Sequence, residues 1–141
     1  MLKDADGSGS RFIFSLNNIS AMAREYVSMK NLRFMLHQVF GVADLCQHPY
    51  FEHLDKESVD LMVDAAKQLS DTYLFPHYES MDRDEPELKE GKITVHPSVK
   101  PFLHAAGEAG WVGAVAPMDV GGMQAPDLLG CAAAFIMSAA N

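Results

Sequence analysis

Cysteine, basic charge and long apolar runs are all scarce in this chain of 141 residues. Its two cysteines, Cys46 and Cys131, lie far apart and follow no secretory leader, which predicts free, buried thiols in a reducing compartment. The longest uncharged stretch, residues 128–141, is shorter than the roughly 18 apolar residues that a membrane span requires. We therefore expect a cytoplasmic protein that has neither a disulfide nor a membrane-spanning helix.

The charge is strongly unbalanced, because 19 acidic side chains face 11 basic ones and leave a formal charge of -8. A field of this sign repels phosphate backbones and anionic lipid, so nucleic acid is not expected as a partner. Hydrophobic residues make up 48% of the chain and charged residues 21%, which excludes a disordered or collagen-like polypeptide. A chain of this length buries about 70% of its unfolded surface, which is enough for one domain with a core.

Apolar residues recur at helical spacing in the first half of the chain. Residues 18–40 are expected to form two short helices that are separated at Lys30-Asn31, and Gly41 should close the second in a left-handed conformation. A longer amphipathic helix should begin after the N-cap Asp55 and end near Pro76, which lacks a backbone donor. Its polar face carries Glu57, Asp60, Asp64, Lys67 and Asp71.

The second half alternates connectors and helices. A charged connector is expected over 81–90, followed by a turn at 89–92 and a short extended piece at 93–95. Pro97-Ser98 should open a helix that stops at Gly110. Residues 111–122 predict a compact loop, and Asp127 is expected to cap a final helix over 128–140.

That final helix carries no charge and no strongly polar side chain except Ser138, so it is apolar on every side. Four large side chains left in water would forfeit about 6 to 12 kcal/mol at 1.5 to 3 kcal/mol each. This is comparable with the whole stability of a domain, roughly 5 to 15 kcal/mol. We therefore expect the helix to be covered by a partner subunit or by chain that follows Asn141.

Two patterns resemble metal sites. The segment from Asp4 to Ser10 has the first half of a calcium-binding EF-hand loop, but Ser15 stands where the bidentate Glu belongs, which favours a polar terminus. Cys46, His48 and His53 offer three zinc ligands, but their spacing matches no common zinc motif and favours a buried thiol with loop histidines. We assign no metal ligand.

Signatures of independent catalysis are also missing. The sequence has no Gly-x-Ser-x-Gly elbow, no Walker loop and no Gly-x-Gly-x-x-Gly turn. The carboxylates of residues 82–90 are interleaved with Arg83, Lys89 and Lys92, which is typical of a solvated loop rather than an acid-base pair. We predict no catalytic residue and no cofactor-binding residue.

Four segments, taken in order, resemble the N-terminal part of the acyl-CoA dehydrogenase family. Asn31-Leu32-Arg33-Phe34-Met35-Leu36-His37-Gln38-Val39-Phe40 is similar to an extra N-terminal segment of one bacterial branch, which includes enzymes acting on methylmercaptopropionyl-CoA. The helix end at 65–76 and the Asp-Arg-Asp-Glu connector at 82–85 resemble the first long helix of the family and its exit. Residues 109–113 with Pro117 and Gly121-Gly122 resemble the family's "GW-x-G … P-x-x-x-GG" loop, and 128–141 the helix after it.

The resemblance implies an all-α, bundle-like N-terminal domain of the acyl-CoA dehydrogenase fold, with a short hairpin-like segment near 89–95. It divides the chain into a flexible or non-native segment at 1–25, extension helices at 26–48 and the helical domain at 49–141, incomplete at its C-terminus. It also implies an N-terminal fragment of an enzyme that oxidises acyl-CoA thioesters with FAD. This fragment alone is expected to be inactive and to bind no FAD.

The site that the resemblance implies is one wall of the acyl pocket. Its residues are Gly121, Gly122, Met123, Leu128, Ala132 and Phe135. Phe135 departs from the family, where an acidic residue is common at this position, so no polar contact is carried over to it. The implied partners are acyl-CoA, the remaining dehydrogenase domains and further copies in a homo-oligomer. The alternative reading is a stand-alone helical module that dimerises or docks a partner through its apolar last helix.

Overall fold

The computed structural model describes residues 25–141, which form a mostly helical domain with one small two-stranded sheet. The predicted segment 1–25 and the calcium-like motif at 4–10 therefore lie outside the described residues, apart from Glu25. Six α-helices are described in this part of the chain. They are α1 (Met29–Phe34), α2 (Val42–Leu45), α3 (Lys56–Tyr73), α4 (Tyr78–Arg83), α5 (Val99–Glu108) and α6 (Asp127–Ala140).

The first helix continues through Lys30-Asn31, where the sequence predicts a break. α1 continues directly into a π-helical turn, Met35–Val39, in which the Phe40 amide donates to the Met35 carbonyl over 2.9 Å. The predicted interruption at Lys30-Asn31 is wrong, because both residues lie inside α1 and the Ser28 side chain caps its start. Gly41 ends the segment with φ at 60°, the left-handed conformation that the sequence predicts.

The long amphipathic helix is confirmed as α3. Asp55 caps it, since its Oδ1 accepts from the Ser58 amide over 2.7 Å and from the Ser58 hydroxyl over 2.6 Å. These hydrogen bonds hold the pKa of Asp55 below its ordinary value, because they stabilise the charged carboxylate. α3 ends at Tyr73, and a 3-10 turn over Phe75–His77 carries Pro76 into α4. α4 replaces the first part of the connector that the charge pattern predicts over 81–90.

The two strands, β1 (Glu87–Lys89) and β2 (Lys92–Thr94), form an antiparallel hairpin in which Leu88 pairs with Ile93. Glu90 and Gly91 make the two-residue turn, and both have positive φ, 51° and 76°. Turns with this geometry match the right-handed twist of the strands. The hairpin-like segment predicted near 89–95 is thus confirmed, and its first strand begins two residues earlier.

α3 and α6 make the most extensive contact between helices. Their apolar faces form one core together with residues of the N-terminal segment, residues 26–48, and of the loop before α6. Its buried members are Val27, Leu36, Val42, Val59, Val63, Ala66, Ala125, Leu129, Ala132, Ala133 and Ile136. Since most of these are small or β-branched, the two helices approach closely along this seam.

The N-terminal segment is attached to the polar side of α3. Arg33 forms ion pairs with Asp60 and Asp64, and His37 Nε2 lies 2.9 Å from Asp60 Oδ1. Further along the helix, the Tyr26 hydroxyl donates to Asp71 Oδ1 over 2.8 Å. Three of the four carboxylates that the sequence assigns to the polar face therefore have specific partners in residues 26–48.

Candidate functional site

The loop between α5 and α6 folds back on itself. Gly110, at φ 81°, turns the chain out of α5 into a 3-10 turn, Trp111–Gly113. Two backbone amides that follow Gly121-Gly122 donate to carbonyls in the first half of the loop. The Gln124 amide donates to the Ala116 carbonyl over 2.9 Å, and the Ala125 amide donates to the Ala114 carbonyl over 2.9 Å. The compact loop predicted for residues 111–122 is confirmed, and these hydrogen bonds set where α6 begins.

Asp127 starts α6 but does not cap it. Pro126 occupies the N-cap position, and Asp127 lies in the first turn, where a carboxylate is favoured by the positive end of the helix dipole. The capping role that the sequence assigns to Asp127 is therefore wrong by one position. Pro126 suits its place because its fixed φ of -56° leads into the helix and the amide it lacks has no intrahelical partner there.

The loop is also tied to the segment before α3. His53 Nε2 donates to the Met123 carbonyl over 3.2 Å, and the Gln124 side-chain amide donates to the Tyr50 carbonyl. The Met123 thioether covers Gly110, where an added Cβ would lie 3.2 Å from its sulfur. These contacts support the loop that carries Gly121, which is exposed, and Gly122, which is half-buried.

An apolar depression lies between this loop and α6, and we call it the α6 groove. Its volume is about 440 Å³. Its lining is uncharged except for Asp127, and it consists of Trp111, Val112, Ala114, Val115, Asp127, Gly130, Cys131, Ala133, Ala134 and Met137. Val115 approaches α6 at Gly130, where an added Cβ would lie 3.0 Å from Val115 Cγ1. The absence of a side chain at Gly130 therefore lets the loop approach the helix.

The outward side of α6 continues the apolar surface of the groove. Leu129 and Ile136 are buried against the core, whereas Cys131, Ala134 and Ser138 are exposed and Phe135 is 56% exposed. The sequence predicts that about four large side chains of the last helix lack cover within the chain. Phe135 is the single large hydrophobic residue of α6 that is exposed, so the uncovered apolar area is smaller than predicted. The prediction that both thiols are buried is wrong for Cys131, and Cys46 is half-buried.

The six residues predicted for the acyl-pocket wall occupy three different environments. Gly121 is exposed with φ at 85°, and Gly122 and Met123 lie within the loop. On α6, Ala132 is buried in the core, Leu128 packs partly against it and Phe135 faces outward. None of the six lines the α6 groove. They share a chain segment but are not brought together around one described cavity.

The groove residues that sequence reasoning missed come from the loop's first half and from the other side of α6. Trp111, Val112 and Val115 are the main ones, and Val112 is 78% exposed. One signal was available, because the only tryptophan of the chain lies in the same Gly-Trp motif that carries the family resemblance. The side of α6 that faces the groove could not be predicted from the sequence, since a helix that is apolar all round has no polar face to orient it.

The possible metal ligands are held in separate contacts. His48 Nδ1 accepts from the Tyr50 amide over 3.2 Å, and His53 contacts Met123. Burial, and secondarily the charge of Asp55, raise the pKa of the Cys46 thiol, so this sulfur is a poor thiolate donor. Within residues 25–141 no three His, Cys, Asp or Glu side chains lie close enough together to hold a metal ion.

A larger open cleft, of about 690 Å³, lies between α4 and the end of α6. Glu79, Asp82 and Arg83 are among its lining residues, so it is more polar than the α6 groove. Of the two, the α6 groove is the better match to an apolar ligand or packing partner, because it carries a single charge at its edge.

Comparisons of this chain with protein-family models, with curated proteins and with solved structures give no match. In the part of the chain that the structure describes, no helix is both long and apolar enough to cross a membrane. The function is therefore inferred from the fold, the α6 groove and the order of the motifs in the sequence.

Proposed function

We propose that this chain is the N-terminal helical domain of an FAD-dependent acyl-CoA dehydrogenase. In this role it supplies packing surface and one wall of the acyl pocket, while other domains supply the flavin site and the catalytic base. Four motifs in the family's order support the proposal, from residues 31–40 to the helix at 128–141. A mostly helical fold and the tight turn at Gly121-Gly122 agree with it.

The observation that carries the proposal is the apolar α6 groove beside the Gly-Trp loop. Covering an exposed side chain of the groove, such as Val112 or Val115, stabilises a complex by about 1.5 to 3 kcal/mol. An acyl chain or the apolar face of a neighbouring domain suits this surface, because hydrophobic burial is non-directional and needs no polar partners. Asp127 at the edge would face solvent or a polar group.

Trp111 provides the test, since it is the only tryptophan and lines the groove. Titration of the purified chain with palmitoyl-CoA should shift its fluorescence to shorter wavelength, whereas free CoA should not. Ala134→Asp, which places a carboxylate in the groove, should abolish the shift. Val120→Asp is the matched control, because Val120 is exposed outside the groove and this variant should respond like the wild type.

An unchanged Trp111 spectrum with palmitoyl-CoA would argue against an acyl wall in the groove. The wider proposal has its own readouts. The purified chain should show no flavin absorbance and no acyl-CoA oxidation, and coding sequence after Asn141 should specify a flavin-binding β-domain. Turnover by this chain alone would overturn the assignment of roles.

The second candidate is a stand-alone helical module that docks protein through α6. The exposed stripe of Cys131, Ala134 and Phe135 favours it, because small residues beside one aromatic allow a second helix to approach closely. Analytical ultracentrifugation would then show a concentration-dependent dimer that Phe135→Asp dissociates. A monomer at all concentrations, together with acyl-CoA binding at Trp111, would reject this candidate in favour of the first.

A further inference from the structure

The start of α5 is held by a histidine that lies outside the helix. The Ser98 amide donates to His96 Nδ1 over 3.2 Å, and the Ser98 hydroxyl lies 2.7 Å from the same nitrogen. Ser98 itself caps no amide of α5 with its side chain. A backbone N–H can only donate, so this amide hydrogen bond forms when Nδ1 is unprotonated and Nε2 carries the proton.

This contact lies where the exit of the hairpin meets α4, α5 and the end of α6. The Ser98 hydroxyl also lies 3.3 Å from the Met81 sulfur of α4, and that sulfur lies 3.0 Å from the side-chain amide of Asn141, after α6. Ser98 is 9% exposed, and the His96 side chain is 12% exposed. A change at His96 Nδ1 therefore acts on a nearly buried contact between the hairpin exit, α4, α5 and the end of α6.

Charged and titratable groups lie on several sides of His96. Asp84 Oδ2 lies 4.0 Å from Nε2, and the His77 ring centroid lies 5.8 Å from that of His96. Arg83, Glu85 and Glu87 line the same cavity of about 570 Å³. A positive charge at His96 would be stabilised by Asp84 but would face the positive end of the α5 dipole.

We propose that His96 is a pH-sensitive latch that fastens the exit of the hairpin to the start of α5. In its neutral form, with Nδ1 unprotonated, it accepts from the Ser98 amide. When the imidazole gains a proton, Nδ1 becomes a donor and can no longer accept the Ser98 amide, while Nε2 remains beside Asp84. Protonation thus frees the Ser98 amide, whereas Nδ1–H can then donate to the Ser98 hydroxyl, and the Phe102 amide still donates to the Ser98 carbonyl over 3.2 Å. The proposal rests on this geometry and is independent of the proposed function.

Amide hydrogen exchange measured by NMR on the full chain tests the latch. After correction for the intrinsic pH dependence of exchange, protection of the Ser98 amide should fall about tenfold between pH 8 and 5, the range in which histidine changes charge. In His96→Asn the carboxamide oxygen replaces Nδ1 as an acceptor that does not titrate, so protection should become independent of pH. His104→Asn, at an exposed histidine of α5, is the matched control and should keep the wild-type fall.

Two results of the exchange experiment would overturn the latch. One is constant protection of Ser98 over this pH range in the wild type. The other is a fall of the same size in His96→Asn. A direct measurement needs no variant, because the ¹⁵N shifts of the imidazole report which nitrogen holds the proton at pH 8. Finding the proton on Nδ1 would reject the proposal even if the His96→Asn chain failed to fold.

Discussion

Gly122 lies against the carbonyl of Ala116 so closely that a Cβ at Gly122 would sit 2.0 Å from the Ala116 oxygen. The neighbouring amide of Gln124 donates to the same oxygen over 2.9 Å, so this carbonyl cannot move aside without losing a hydrogen bond. The second glycine of the Gly121-Gly122 pair is thus required by space rather than by its backbone angle.

Gly122→Ala should lower the free energy of unfolding by about 3 kcal/mol, the upper end of the cost of overpacking. Gly107→Ala, inside α5 with no atom within 4 Å of the added Cβ, should instead raise it by about 0.5 to 1 kcal/mol. Urea unfolding followed by circular dichroism measures both. Equal stability of the two variants would contradict the close approach at Ala116.

The orientation of α6 predicts opposite outcomes for two adjacent residues. Ile136 is 0% exposed, and truncating it to Ala should cost about 2 to 5 kcal/mol in the free energy of unfolding. Phe135→Ala should change the stability of the isolated monomer by less than about 1 kcal/mol, because its ring is mostly in solvent. A large loss at Phe135 and a small one at Ile136 would mean that the helix is rotated.

Tyr26 should resist ionisation in the folded chain. Burial, followed by the hydrogen bond to Asp71 and its negative charge, raises the pKa of the Tyr26 phenol above its ordinary value. Since the folded value exceeds the unfolded one, this stabilisation is complete below about pH 10 and is lost as the pH rises further. At about pH 11, folded Tyr26→Phe should therefore show the same tyrosinate absorbance as the wild type. A weaker band in the variant would show that Tyr26 ionises freely.

The two thiols should differ in reactivity. Cys131 is exposed on α6, whereas burial raises the pKa of the half-buried Cys46 and reduces its thiolate fraction. With a thiol-reactive disulfide reagent at pH 8, Cys46→Ser should be labelled several-fold faster than Cys131→Ser. Similar rates in the folded variants, with both fully reactive in denaturant, would contradict the described exposure.

Local patterns in the sequence were sufficient for most elements. Asp55, Pro76 and Gly41 act within one turn of where they stand, through a cap, a missing donor and a left-handed backbone, so the ends of α3 and of the first helical segment were predicted. The break at Lys30-Asn31 was predicted wrongly because polar residues on an exposed helix side do not interrupt its hydrogen bonds. α4 was missed because its six residues carry too few apolar positions to show a period.

Hydrogen bonds and ion pairs between residues far apart in the chain could not be predicted from the sequence. The sequence assigns three aspartates of α3 to a polar face but does not show their partners. Asp60, Asp64 and Asp71 contact Arg33, His37 and Tyr26, which lie 23 to 45 residues away in the chain. The spacing of charges along one helix does not say which distant side chain reaches them. The same holds for His96 and Asp84, which become neighbours only after the hairpin has formed.

By itself, the sequence determined the helical class, the hairpin turn, the compact glycine loop and the apolar character of the last helix, because each depends on residues within a few positions. The tertiary structure decided which side of that helix is buried. Packing of α3 against Leu129, Ala133 and Ile136 selects one face and leaves Phe135 and Cys131 outside. A uniformly apolar helix has no preferred face until a neighbour covers one, so the α6 groove exists only in the folded chain.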